Sequence, residues 1–278
     1  MTASKVQRLG RPGFELRSAD GASATFLLDG GQVLSWRTPD GRERLYVSPL
    51  AQAGEGRAVR GGVPVVFPQF GKRGPLAPHG FARNRPWKLV DAGRHEGHAV
   101  AVLRLESDDR TRALWDHDFE AELTVGVVGG RLDLELAIEN TDAAPFEFAC
   151  ALHTYLACED VRALALQGLD GAPYEDHRTG ERAVQAEHLL RADGELDRLY
   201  ADARRPLVLR GEAPLAIAQD GFHDVVVWNP GAERARAIAD LPDGDWTRFL
   251  CIEAAQARVP VGLPPGEVWV GRQTLQLL

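Results

Sequence analysis

At 278 residues, 44% hydrophobic and 26% charged, the chain has the make-up of a soluble globular protein long enough to bury a large core. Its net charge of −8 and its lack of a basic stripe argue against nucleic-acid binding, while leaving room for a local cationic pocket. No apolar run approaches the roughly 20 residues needed to span a bilayer, and Cys150, Cys158 and Cys251 have neither the number nor the spacing of a disulfide framework or a zinc site. A cytoplasmic protein with free thiols is the expectation.

In chain order, the pattern is mainly β. Residues 24–28 and 32–36 flank Asp29-Gly30-Gly31 and predict a hairpin. Residues 99–105 alternate weakly. Residues 120–128 and 131–139 flank Gly129-Gly130, and Leu132, Leu134, Leu136 and Ile138 alternate with Asp133, Glu135, Ala137 and Glu139, a period of two with one face buried. Further strands are expected at 207–209, 215–218, 225–228 and 267–277. Helical signals are few: one or two turns over 108–115, and a candidate over 181–190. Glycine and proline are scattered, so no linker divides the chain. Many strands with glycine-rich turns point to an all-β sandwich or barrel in a single domain, residues 1–278.

One stretch stands apart. Arg60-Gly61-Gly62-Val63-Pro64-Val65-Val66-Phe67-Pro68-Gln69-Phe70-Gly71 leads to His79-Gly80-Phe81-Ala82-Arg83. Prolines 64 and 68 make the apolar run a poor ordinary strand. It reads better as a rigid wall with polar groups at its ends, and two guanidinium groups there match a dianion. Two other residues are ionisable within apolar surroundings: His153 in Phe148–Leu156 and Glu253 in Phe249–Ala255. A buried carboxylate is expensive without a purpose or partner. From spacing alone, Glu253 is equally a strand residue facing solvent, and His153 a core histidine satisfied by backbone.

The stretch around Arg60, together with Leu152-His153-Thr154-Tyr155-Leu156, Gly168-Leu169-Asp170-Gly171, Glu195-Leu196-Asp197-Arg198-Leu199-Tyr200, Val225–Pro230 and Cys251-Ile252-Glu253-Ala254, resembles the glucose-6-phosphate 1-epimerases, a branch of the aldose 1-epimerase family. The blocks fall in family order from about residue 20 to the C-terminus. The resemblance implies a large antiparallel β-sandwich of the galactose-mutarotase type, the supersandwich, with few short helices and its site in a concave face. It implies an enzyme that interconverts the anomers of a phosphorylated hexose, and a monomer is the expectation. That chemistry opens and recloses a hemiacetal, so it needs one base and one acid on opposite sides of a sugar ring and no metal or other cofactor.

By the same resemblance Glu253 is the general base and His153 the general acid. His79 and Asp197 meet sugar hydroxyls, and Arg60 and Arg83 hold the phosphate. Gln69 is a further candidate donor to the sugar. Alternatives for these residues are a loop role for His79, internal salt bridges for the arginines and a turn pairing of Asp197 with Arg198. Lys72 and Arg73 either add cationic character or are simply exposed. Gly231 stands where family members often carry an aromatic residue, which puts stacking there in doubt. Other readings are a mutarotase of unphosphorylated aldoses, a non-catalytic carbohydrate-binding sandwich, and a glycoside hydrolase, which normally needs two carboxylates.

Overall fold

A computed structural model describes residues 2–54 and 56–278. A four-stranded meander opens the chain: Ala3–Arg8, Arg11–Arg17, Ser23–Leu27 and Val33–Arg37, in that order. The last two form the hairpin that Asp29-Gly30-Gly31 predicted. Two larger antiparallel sheets follow. The nine-stranded sheet runs Leu189–Leu190, Ala165–Gln167, Leu207–Arg210, Leu215–Asp220, Val268–Leu277, Arg131–Asn140, Phe119–Val128, His98–Glu106 and Lys88–His95. The eight-stranded sheet runs Arg182–Val184, Pro173–Asp176, Leu196–Tyr200, Asp224–Asn229, Phe249–Leu263, Phe146–Leu152 and Val65–Val66, with Tyr155–Ala157 also paired to Phe249–Leu263.

Period two decides what the sheets bury. Leu132, Leu134, Leu136 and Ile138 are fully buried in the main core, as the sequence predicts. The weak alternation over 99–105 proves strict. Ala99, Ala101, Leu103 and Leu105 face inward, and the outward Val100 and Val102 blur the pattern because valine suits either face. From the eight-stranded sheet, Cys150, Leu152, Val225, Val227, Ile252 and Ala254 enter the same core. The two sheets therefore pack face to face, giving the all-β sandwich expected.

The helix predicted over 181–190 is not formed. Arg182–Val184 pairs with Pro173–Glu175, and Leu189–Leu190 pairs with Leu166–Gln167. Tertiary bonds override local propensity here: Gln185, almost fully buried, accepts from Arg198 and from the Tyr200 hydroxyl. The turn near 108–115 is real but short. Asp108 caps Asp109–Arg112 by accepting from the Thr111 N–H, and the Thr111 hydroxyl accepts from the Asp108 N–H, a reciprocal capping box. A one-turn helix, Gly231–Ala235, was not anticipated. Among the described residues no helix is long and apolar enough to cross a membrane.

Candidate active site

The long strand Phe249–Leu263 builds the floor of the site. Ile252 and Ala254 point into the main core, so Glu253, between them, must point to the opposite face of the eight-stranded sheet. On that face Val226 lies beside Glu253, Ala151 beside Ala255, and Asp197 beside Trp228. Ala149, Ala151, Ala255 and Ala257 cover much of it with small side chains.

His153 reaches Glu253 because a strand breaks. Phe146–Leu152 and Tyr155–Ala157 both pair with Phe249–Leu263, and His153-Thr154 is the irregular step between them. The step is secured on each side. His153 N–H donates to the Pro64 carbonyl (3.1 Å), and the Thr154 hydroxyl donates to buried Gln273 (2.5 Å). Gln273 in turn donates to the Ile252 carbonyl (3.1 Å). Pro64 and Pro68 thus form the wall the sequence implied; the ladder between them is reduced to Val65–Val66. His153 Nε2 ends 3.3 Å from Glu253 Oε1, in residues only 8% and 1% exposed. The Tyr155 ring stacks on His153 at 4.8 Å and 12°.

Electrostatics drive both members of the pair toward neutrality. Burial pushes the Glu253 carboxyl well above its ordinary range; the Asp197 charge adds to this and Arg83 opposes it. Burial pushes the His153 imidazole well below its ordinary range, reinforced by His79, Arg83 and Arg60. Both shifts favour the neutral forms, with the pair's proton on Glu253 and none added to the His153 imidazole. Glu253 Oε2 and His153 Nδ1 make no hydrogen bond among the described residues.

A cleft of about 700 Å³ opens above the pair, lined among others by Arg60, Lys72, Arg73, His79, Arg83 and Asp197. The structure therefore brings six of the seven sequence candidates together. His79 sits at the end of the glycine-rich loop with φ +69, next to Gly80 at φ +68. A side chain at Gly80 would strike the Phe67 carbonyl at 2.2 Å, so this corner requires glycine. Burial, then Arg83, Arg60 and His177, push the His79 imidazole down to about 3, so it is neutral and suited to hydrogen bonding rather than to acid catalysis.

The two arginines differ. Arg60 makes an internal salt bridge, Nε to Asp240 (3.1 Å), and donates to the Tyr155 hydroxyl (3.2 Å). Arg83 makes no salt bridge among the described residues: Nη2 donates to the Pro78 carbonyl (2.8 Å), and its buried Nε is unpartnered. Lys72 is exposed at the mouth. Arg73 is committed to Glu175 at 2.9 Å.

Gln69 corrects the expectation for it. Its amide donates to the Gly71 and Leu76 carbonyls (3.0 Å each), and its oxygen accepts from the Leu76 N–H (2.8 Å). It closes the loop that carries His79 and lies outside the cleft lining. Asp197 does line the cleft, but it pairs with His177 at 2.9 Å and not with Arg198, which lies 4.3 Å over the Tyr174 ring. Gly231 has φ +62, and a Cβ there would fall 2.4 Å from the Glu195 nitrogen, so no aromatic side chain could stand at that position. Trp228 supplies an aromatic wall instead.

Sequence reasoning passed over His177, Glu175, Arg234 and Asp240. Glu175 and His177 are two residues apart, a spacing that puts both on one face once a strand is recognised. Asp240 carried no such signal, because its partner lies 180 residues away.

The profile of the family described as "Aldose 1-epimerase" matches residues 12–276. A Cenchrus ciliaris protein named "Putative glucose-6-phosphate 1-epimerase" is 34% identical, with 94% of this chain and 83% of that one covered. A protein of Escherichia coli K12 with the same name is 32% identical over 84% of this chain and 80% of its own. Among solved structures, YeaD of Salmonella typhimurium, described as a "putative mutarotase", superposes with a TM-score of 0.91 at 26% identity, covering 99% of this chain and 93% of that one. Galactose 1-epimerase of Lactobacillus acidophilus shares the fold alone, with a TM-score of 0.75 at 14% identity, over 99% of this chain and 98% of that one. The chain belongs to the aldose 1-epimerase family.

Proposed function

We propose that the protein interconverts the α and β anomers of a hexose 6-phosphate, with glucose 6-phosphate the leading substrate. The observation that carries this reading is a buried His–Glu pair at the floor of a cleft whose wall holds Arg83 without a carboxylate partner among the described residues. A guanidinium held in this way is complemented by an anionic substrate group.

The favoured neutral form keeps the pair's proton on Glu253, so the reaction begins with transfer of that proton to His153 across their 3.3 Å contact, which leaves Glu253 ionised. Glu253 takes the proton of the anomeric hydroxyl while His153 donates its proton to the ring oxygen. The bond between C1 and the ring oxygen breaks and a free aldehyde forms. Rotation about C1–C2 presents the other carbonyl face. Reclosure returns a proton from Glu253 to the new anomeric oxygen and one from the ring-oxygen hydroxyl to His153. Atoms and charge balance, and the pair ends as it started. In this reading neutral His79, together with the Asp197 carboxylate, holds sugar hydroxyls, and Arg60 and Arg83 hold the phosphate. A monomer is the expected state, and the free cysteines suit a reducing cytoplasm.

Exchange spectroscopy by NMR on purified protein tests the proposal. The α and β signals of glucose 6-phosphate should exchange far above the spontaneous rate, and those of free glucose much more slowly. Equal acceleration of both sugars would favour a mutarotase of unphosphorylated aldoses, and no acceleration of either would overturn the reading.

A further inference from the structure

We infer that His177 is a positioning residue for this reaction, holding the Asp197 carboxylate at the cleft through a fixed ring tautomer. The inference rests on the anomer-exchange reading above. His177 grips Asp197 twice. Its backbone N–H donates to the Asp197 carbonyl (2.8 Å), and ring Nδ1 lies 2.9 Å from Asp197 Oδ1. The opposite ring nitrogen, Nε2, lies 3.2 Å from Arg73 Nη2.

The chemistry of arginine fixes the proton. A guanidinium offers donors only, so Nε2 must accept from Arg73 and the ring proton must sit on Nδ1, where it points at the carboxylate. Arg73 Nη2 also reaches Glu175 Oε1 at 2.9 Å. The row Glu175, Arg73, His177, Asp197 therefore crosses from the glycine-rich loop to the paired strands Pro173–Asp176 and Leu196–Tyr200. It ties the loop that carries His79 to the strand that carries Asp197, and it occupies Arg73, as Asp240 engages Arg60, which leaves Arg83 and Lys72 at the cleft without a carboxylate partner among the described residues. Asp197 keeps Oδ2 for a sugar hydroxyl, with the carboxylate held against rotation by the imidazole.

A double-mutant cycle distinguishes this role from a merely structural one. His177→Leu should lower kcat/KM for glucose 6-phosphate about tenfold in the native background but less than about twofold in an Asp197→Asn background. His177→Asn, whose amide N–H can stand in for Nδ1–H, should recover most of the loss. Equal losses in both backgrounds would overturn the inference. Nitrogen-15 NMR of the native protein gives a second test, independent of turnover and of whether His177→Leu folds. The His177 ring should show the Nδ1–H tautomer, and Asp197→Asn should perturb it. An Nε2–H ring would refute the clamp whatever the sugar, and a native protein that shows the clamp but no anomer exchange would refute the functional reading instead.

Discussion

The two large sheets solve different problems with the same strand geometry. In the nine-stranded sheet, Phe119–Val128 and Arg131–Asn140 pair residue for residue around Gly129-Gly130, with apolar side chains inward and charges outward. In the eight-stranded sheet the ladder is broken at His153-Thr154, shortened to Val65–Val66 between prolines, and shifted in register between Phe148 and Cys150. The regular sheet stabilises. The irregular one spends ladder regularity to turn His153 toward Glu253 and to leave alanine-floored space above them. The same face that would cost stability as an uncovered sheet surface becomes a site when ionisable groups are placed on it in pairs.

Substitutions can separate the two regions. The largest effect is expected at the broken strand. His153→Asn removes the proposed acid and should cut turnover on the order of 10²–10⁴-fold with substrate affinity little changed, as read from exchange rates over a range of concentrations. In the regular sheet, Leu134→Ala should cost about 2–5 kcal/mol of stability by denaturant unfolding, yet leave the exchange rate per folded molecule intact. At the cleft wall, Arg83→Ala should weaken glucose 6-phosphate efficiency about tenfold to a hundredfold while free glucose is barely affected. An equal fall on both sugars would mean that Arg83 holds the fold rather than the phosphate.

The smallest expected effect is one of pH. Glu253 is raised in the folded protein above its unfolded value, so the fold binds its proton more tightly than the unfolded chain does. Its contribution is fully present below the ordinary carboxylate range and is lost as pH rises toward the folded value. Replacing it by glutamine removes that loss. The melting temperature of Glu253→Gln should therefore gain on the native protein as pH rises from about 5 to 8, by calorimetry. A constant offset across that range would contradict a raised Glu253.

How much was legible follows from this contrast. Where a strand is regular, period two exposes both its existence and its buried face, as at Leu132–Ile138. Where a function interrupts the strand, the pattern is lost, and single odd residues carry the signal: Glu253 in an apolar run, His153 likewise, and arginines at the ends of a proline wall. Gln69 misled because a buried amide closing a loop and one facing a ligand look alike in sequence; only the Gly71 and Leu76 carbonyls decide. Residues 181–190 misled because the bonds that hold Gln185 come from Arg198 and Tyr200, beyond any local window. Asp240 and His177 acquire their roles solely from partners that folding brings to them.

On this reading recognition and chemistry are separable, the first on the cation-rich wall and the second on the buried pair. Glu253→Gln tests it most directly, with anomer exchange and glucose 6-phosphate affinity measured by NMR on the same folded sample. Exchange should fall to near the spontaneous rate while affinity stays within a few-fold of native. Near-native exchange in the folded variant would contradict the account.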